Sequence, residues 1–264
     1  MRLLIINPNT TTTITALLEA NAKKVASMQM QMQMQVQVQV QVQVQVSAVT
    51  ARFGASYIAC EATYAVAGHA VLDAWAAALA SSGTLPDAVL IGCFGDPGLL
   101  ALRETSQAPV TGLAEAAFME AASHGPFAIV TGGQRWKPML ERLAHQLGYG
   151  HVLQGIHTVL PTGAQLAQDP VAARSLLAAA CQQAAQDFKV GAVILGGAGL
   201  AGMAAAIQAD IEVPVIDSVL AGTRQALLRI GQKPLLKAEP SGRFDVRWQG
   251  VSAELTALGL EAGG

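Results

Sequence analysis

Short apolar runs alternate with longer segments of helical pattern along most of the chain. The apolar runs predict strands, and they lie at Leu3–Ile6, Asp87–Ile91, Ala108–Thr111, Phe127–Val130, His151–Thr158, Ala192–Leu195 and Val213–Ile216. The segments between them predict helices, and these lie at Ile14–Val25, His69–Ser81, Leu99–Thr105, Lys137–Gly148, Pro170–Phe188 and Leu200–Ala209. Strands that alternate with helices at this spacing are typical of a parallel β-α-β architecture.

One tract breaks this alternation. In Met28–Val46, Met or Val alternates with Gln without interruption, and a period of two indicates a strand. Strands usually have about 5–6 residues, so we predict that only the C-terminal part of the tract, leading into Ser47, is the second strand. We interpret the rest as a low-complexity surface extension, since loop insertions are well tolerated. The alternative is an edge for self-association, because uncharged alternating strands invite pairing. A homo-oligomer therefore stays open.

Composition narrows the class of protein. A chain of 264 residues that is 52% hydrophobic and 13% charged suits one compact α/β unit or two small associated lobes. The net charge of -2, without a basic stripe, gives little support to nucleic-acid binding. We expect neither a membrane span nor a signal peptide, and so a cytoplasmic location. Cys60, Cys93 and Cys181 contain no C-x-x-C pair, which argues against a disulfide framework and a zinc site.

A gapless internal repeat is the strongest signal in the sequence. AVLIGCFGDPG at Ala88–Gly98 aligns with AVILGGAGLAG at Ala192–Gly202, and the strands on either side also align. The chain is therefore predicted to hold two copies of one β/α lobe. In this register Cys93 falls on Gly197. Because ligands bind beyond the carboxyl ends of parallel strands, a cleft between the lobes would have a thiol on one wall and a glycine on the other.

The second loop also supports a competing interpretation. Gly197, Gly199 and Gly202 form G-x-G-x-x-G between a strand and a helix, and Asp217 ends the next strand, where a ribose-binding acid is expected. A dinucleotide fingerprint usually opens a domain with several further strands, whereas only one predicted strand follows here. A nicotinamide-dependent oxidoreductase remains an alternative.

Several motifs together resemble a known family. INPNTT near the N-terminus, RFG at 52–54, GCFGDPG at 92–98, PVTGLAEAA at 109–117 and VPVID at 213–217 resemble the hydantoin and allantoin racemases of the aspartate/glutamate racemase superfamily. The resemblance covers nearly the whole chain, except for the Gln-Val tract and the tail. It implies an α/β fold with two pseudo-symmetric lobes, each a parallel sheet flanked by helices, and a cleft between them for a small-molecule substrate. It implies no cofactor and no metal.

The resemblance also implies how the chain is divided. Residues 1–112 together with 215–264 would form the first lobe, because the C-terminal segment packs back on it. Residues 113–214 would form the second lobe. Each lobe would contribute one end of a parallel sheet to the cleft.

Racemases of this kind place one cysteine on each side of the substrate carbon, so that one removes its proton and the other returns a proton to the opposite face. Cys93 matches the first cysteine, whereas Gly197 stands where the second is expected. The other candidates surround these two positions and are expected to bind substrate. They are Asn7, Asn9, Thr10, Phe53, Phe94, Gly95, Asp96, Glu115, Thr131, Gly132, Gly196, Ala198 and Gly199.

The chemistry expected at Cys93 is removal of a proton from carbon beside a carbonyl, which needs a thiolate and stabilisation of the enolate. A free thiol has a pKa of about 8.5, so we expect the loop N–H groups and the following helix to favour the anion. Asp96 either sets this loop or caps the helix near Leu99. Without a second thiol, racemisation should be slow unless another group supplies the second proton. A single-cysteine decarboxylase-like enzyme and a non-catalytic binding protein are the alternatives.

Overall fold

The computed structural model describes residues 1–35, 43–232 and 248–258, and within them the chain forms two parallel sheets of four strands. The first sheet holds β1 (Arg2–Asn7), β2 (Gln45–Thr50), β3 (Ala88–Ile91) and β4 (Val110–Gly112) in the order β2-β1-β3-β4. The second holds β5 (Phe127–Gly132), β6 (Leu153–Val159), β7 (Ala192–Gly196) and β8 (Val215–Asp217) in the order β6-β5-β7-β8. The identical strand order confirms the predicted α/β fold with two repeated lobes.

Helices cover both sheets. They are α1 (Thr12–Gln35), α2 (Glu61–Ser82), α3 (Leu99–Thr105), α4 (Leu113–Ala122), α5 (Trp136–Gln146), α6 (Gly163–Gln168), α7 (Pro170–Phe188), α8 (Met203–Ile207), α9 (Ser218–Leu228) and α10 (Ala253–Leu258). The sequence pattern did not predict α4, α6, α9 or α10. The helix expected at Leu200–Ala209 is broken into a 3-10 turn, α8 and a second 3-10 turn, because Gly202 between the first two has φ +86°.

Among the described residues of the Gln-rich tract, the strand pattern holds only at the C-terminal end. β2 confirms the strand expected there, but Met28–Gln35 continues α1 as helix. Met and Gln are unbranched and favour helices, so intrinsic propensity outweighs the period of two in this part. β-branched Val replaces Met from Val36 onward. Residues 36–42, which the prediction of a surface extension also covered, lie outside the described residues.

The central strands carry the core of each lobe. Every residue of β3 and of β7 is buried, as are Leu3, Ile5 and Ile6 of β1. Parallel strands with helices on both faces have no exposed side, and they therefore appear as continuous apolar runs rather than as alternation. This burial explains why four-residue apolar runs were sufficient to locate the sheets.

The chain returns to the first lobe after β8. β8 pairs with β7 and so belongs to the second sheet, whereas α9 packs against α4, α1 and β3. We therefore propose that the return begins at Ser218, slightly later than the predicted division at 215. α10 packs on α2, and the Arg52 guanidinium bridges Asp73 and Glu254 at 2.8 Å each. Among the described helices, none combines the length and the apolar character that a membrane span needs.

Candidate active site

A cavity of about 340 Å³ lies at the carboxyl ends of the central strands of both sheets. This is the position at which open parallel sheets bind ligands, because the strand order reverses there. Eight of the predicted site residues line the cavity. They are Asn9, Cys93, Phe94, Thr131, Gly196, Gly197, Ala198 and Gly199.

The sequence analysis missed the remaining lining residues. They are Thr11, Thr13, Ile14, Leu17, Ser56, Tyr57, Ile58, Gly92, Trp136 and Gln168. Thr13, Ile14 and Leu17 lie in the first turns of α1, directly after the β1 loop. Because ligands bind beyond the carboxyl ends of parallel strands, these residues could have been predicted from their position after β1. The segment from Ser56 to Ile58 belongs to the β2–α2 connection, where no periodic pattern signalled it.

Other predicted residues support the cavity without lining it. Asn7 is buried, and its Nδ2 donates to Asn9 Oδ1 and Thr15 Oγ1, both at 3.0 Å. Asn9 Oδ1 also accepts from the Thr11 N–H at 2.9 Å, so this amide is held in one orientation. The Thr10 N–H donates to the Ala55 carbonyl at 3.1 Å and joins the β1 loop to the β2–α2 connection.

Four more of the predicted site residues are not among those that line the cavity, namely Phe53, Gly95, Glu115 and Gly132. Phe53 packs edge-on against His69, with ring centroids 4.9 Å apart, in a separate pocket beside the C-terminal segment. Glu115 is buried and pairs with Arg103 at 2.6 Å and with Arg229 at 3.5 Å. Gly132 follows the lining residue Thr131, and Gly95 follows Phe94. A substrate contact for these residues stays a prediction.

Cys93 and Gly197 line the same cavity from the ends of β3 and β7. The Cys93 side chain is buried, with 7% of the residue exposed. Burial, and then the nearby Asp96 carboxylate, raise the pKa of the Cys93 thiol above its ordinary value. This direction is opposite to the expected one. α3 begins only at Leu99, six residues after Cys93, whereas the charge at a helix end acts mainly within the first turn.

The two matching loops differ in backbone conformation. Gly197 has φ +145°, a value that residues with a side chain rarely adopt, whereas Cys93 is not among the described residues with positive φ. In the first loop it is Gly95 that has φ +145°. Glycine at 197 therefore coincides with a backbone conformation that favours a residue without a side chain.

Each lobe places an aromatic ring on a glycine of the other lobe. A Cβ atom at Gly196 would overlap with the Phe94 ring, and one at Gly95 would overlap with the Trp136 indole. The Tyr64 hydroxyl donates to the Gly95 carbonyl at 2.7 Å and holds the same turn. These contacts hold Phe94 and Gly95, the two residues that follow Cys93, between the two sheets.

Asp96 joins the Cys93 loop to α4. Its N–H donates to the Cys93 carbonyl at 3.1 Å, and its carboxylate accepts from the N–H groups of Ala114 at 2.9 Å and Glu115 at 2.8 Å. Burial raises the pKa of Asp96 to about 7, although these two donors act in the opposite direction. The sequence left two roles open for Asp96, and these contacts fit the first of them, in which Asp96 holds the Cys93 loop in place. The helix that its carboxylate caps is α4 rather than α3.

Gly112→Ala is expected to lower the free energy of unfolding by about 2–4 kcal/mol, because a Cβ atom there would overlap with the Asp96 carboxylate and break two buried hydrogen bonds. Urea denaturation measures the change. Gly68→Ala in α2 is the matched control, since its Cβ would meet Gly98 at an ordinary 3.5 Å, and we expect it to be neutral or slightly stabilising. Equal stability of the two variants would contradict the role given to Asp96.

Asp217 makes the corresponding connection in the second lobe, from the repeat position that Gly112 occupies in the first. Its carboxylate accepts from the N–H groups of Gly202 at 2.7 Å, Val219 at 2.9 Å and Leu220 at 3.1 Å. It therefore caps α9 and fixes the glycine loop. Both carboxylate oxygens of Asp217 already accept hydrogen bonds from backbone N–H groups, so its position is explained without a bound ribose. This weakens the dinucleotide alternative.

Fold and cavity together define a two-lobed α/β protein whose candidate site lies between repeated halves. Residues 3–226 match the Asp/Glu/Hydantoin racemase family, and the chain belongs to this family. The match confirms the resemblance seen in the sequence, and the chain is accordingly a racemase-family enzyme of the Asp/Glu/hydantoin racemase superfamily.

The chain is similar to two proteins named as hydantoin racemases and to one named as an allantoin racemase. A hydantoin racemase of Paenarthrobacter aurescens is 32% identical over 229 residues, which cover 86% of this chain and 89% of the relative. A hydantoin racemase of Pseudomonas sp. (strain NS671) is 34% identical over 150 residues, which cover 56% of this chain and only 60% of the relative. The solved allantoin racemase from Klebsiella pneumoniae superposes with a TM-score of 0.81 at 29% identity, covering 98% of this chain and 99% of that one.

Proposed function

We propose that the chain moves a proton at the ring carbon of a neutral, hydantoin-like substrate, and that Cys93 is the acid/base. The observation that carries the proposal is the chemistry of the cavity wall. Among the described lining residues, Cys93 contributes a thiol, and none contributes a side chain that is charged at neutral pH. A neutral ring fits such a wall, whereas a free amino acid or a dicarboxylate would lose its hydration without gaining a counter-charge.

The reaction begins with the thiolate of Cys93 taking the proton from the carbon beside the ring carbonyl. The C–H electron pair moves into the ring and forms an enolate, with negative charge on the carbonyl oxygen. Because Asn9 Oδ1 is already occupied by Asn7 and Thr11, the Asn9 amide N–H groups are the part of this side chain that can donate to a ring carbonyl. Donors held in place where charge develops are worth several kcal/mol to catalysis.

A second candidate reaction is decarboxylation with protonation by Cys93. The raised pKa of the Cys93 thiol favours it, because a protonated thiol is ready to act as donor. The substrate carboxylate would leave as CO₂, its C–C electron pair would form the enolate, and the thiol would deliver its proton to carbon. The carboxylate would, however, enter a cavity without a charged partner among the described lining residues.

One enantiomer of a 5-substituted hydantoin in deuterated water is expected to exchange its C5 proton. The enzymatic rate, corrected for the enzyme-free reaction, should still be rising with pH between about pH 7 and 9, because burial raises the pKa of the Cys93 thiol and the thiolate fraction grows as the pH approaches that pKa. NMR measures the exchange. Faster exchange of free aspartate would contradict the neutral-ring proposal, CO₂ release from an arylmalonate alone would favour decarboxylation, and binding without exchange would indicate a binding protein.

A further inference from the structure

Tyr57 is the second ionisable side chain in the cavity. Among the described lining residues, Cys93 and Tyr57 are the ones that can release a proton in water. Tyr57 comes from the β2–α2 connection of the first lobe, but its hydroxyl donates to the Gly132 carbonyl of the second lobe at 3.4 Å. Its phenol therefore crosses the cleft to the side opposite its own sheet.

The strand register shows which side of the cavity the hydroxyl reaches. Thr131 of β5 is the partner of Gly196 in β7, and the Thr131 hydroxyl donates to the Gly196 carbonyl at 2.8 Å. Gly132 and Gly197 are the next residues along these two parallel strands, so they lie at the same edge of the second sheet. The Tyr57 hydroxyl is thus beside the loop that contains Gly197, while Cys93 is on the loop of the first sheet.

We propose that Tyr57 supplies the second proton transfer from the side of Gly197, where this chain has no thiol. The inference rests on the proposed function of Cys93. Cys93 Sγ takes the proton from one face of the ring carbon, and the C–H electron pair moves into the enolate. That pair returns to form a bond with the proton of Tyr57 Oη on the opposite face, and the phenolate remains. The other enantiomer reacts in reverse, and proton exchange with solvent resets both groups.

The properties of the two groups are compatible with this division of roles. Burial raises the pKa of the Cys93 thiol above its ordinary value, so its thiolate is a stronger base than in water and is suited to the removal of a proton from carbon. The Tyr57 hydroxyl is the other group among the described lining residues that can release a proton.

Tyr57→Phe is expected to reduce inversion of a 5-substituted hydantoin by at least about 100-fold. Exchange with retention should persist within a few-fold for the one enantiomer whose C5 proton faces Cys93. A purely structural role would lower both rates together. Tyr149→Phe is the matched control, because Tyr149 packs on Phe118 with centroids 5.9 Å apart and is not a cavity-lining residue; both rates should be unchanged. Chiral chromatography follows inversion, and NMR follows exchange.

The unaltered protein provides a second measurement. In deuterated water, early product should carry deuterium at C5, and it should gain this deuterium faster than the unreacted substrate does, since different groups remove and return the proton. Unchanged inversion in Tyr57→Phe, equal loss of both rates, or equally early deuterium in the unreacted substrate of both enantiomers would overturn the role of Tyr57. Full exchange in Cys93→Ala would instead overturn the proposed function itself, so the two failures are distinguishable.

Discussion

Replacing Cys93 by alanine is expected to lower inversion of a 5-substituted hydantoin, and C5 exchange of the enantiomer whose proton faces Cys93, by about 10²–10⁴-fold. General acid–base groups contribute 10²–10⁴-fold, and Cys93 is the thiol among the described residues that line the cavity. The side chain is small and the cavity is open beside it, so we expect the fold to remain. NMR exchange and chiral chromatography measure the two rates, and thermal unfolding confirms that the variant is folded.

Cys60→Ala is the most informative control for this result. Cys60 precedes α2, and hydrogen bonds from Thr63 lower the pKa of its thiol, so it is the more readily ionised cysteine. It does not line the cavity. If thiolate character alone determined activity, Cys60→Ala would cause the loss and Cys93→Ala would not. We expect the reverse, with Cys60→Ala close to the unaltered protein, because position beside the substrate decides which thiol can act.

Much of the fold followed from the sequence because the strands are buried on both faces. Runs such as those in β3 and β7 are apolar throughout and end in glycine loops, so both the sheets and the repeat were visible without coordinates. The helix at Met28–Gln35 could not be predicted in the same way, because two signals conflict there. The side-chain period indicates a strand, while Met and Gln favour helix. α4 was not predicted either, although its Leu, Ala, Glu and Met residues favour helix, and the contact of its first turn with Asp96 joins residues that are distant in sequence.

The site was predictable where it lies at strand ends and unpredictable where it depends on contacts between lobes. Cys93, Thr131 and Gly197 follow strands, and the repeat register brought them together. Tyr57 and Trp136 enter the cavity by crossing from one lobe to the other. No local pattern records such a crossing, because the packing of the two sheets decides it.

Gly197 occupies the position in the internal repeat that Cys93 holds in the first copy. A cysteine at 197 needs room for its side chain and a backbone that accepts it. Room exists, since a Cβ atom at Gly197 would lie 3.5 Å from the nearest Leu200 side-chain atoms, an ordinary contact. The backbone is less permissive, because φ +145° is strained for any residue with a Cβ. The loop must therefore shift before a thiol at 197 can face Cys93.

Gly197→Cys in the Tyr57→Phe background is expected to restore inversion by at least about tenfold, because the new thiol would return the proton that Tyr57 no longer supplies. The same change should lower the free energy of unfolding by about 1–3 kcal/mol, which is the cost of a strained backbone conformation. Chiral chromatography measures the inversion, and urea denaturation measures the stability.

Gly197→Ala in the same background separates the two effects. Alanine imposes the same backbone strain without a thiol, so we expect the same loss of stability and no gain of inversion. A gain with alanine would mean that movement of the loop, rather than the sulfur, restores the reaction. A folded Gly197→Cys protein that still exchanges deuterium at C5 but does not invert would contradict the geometry, since position 197 would then not face Cys93 across the substrate carbon.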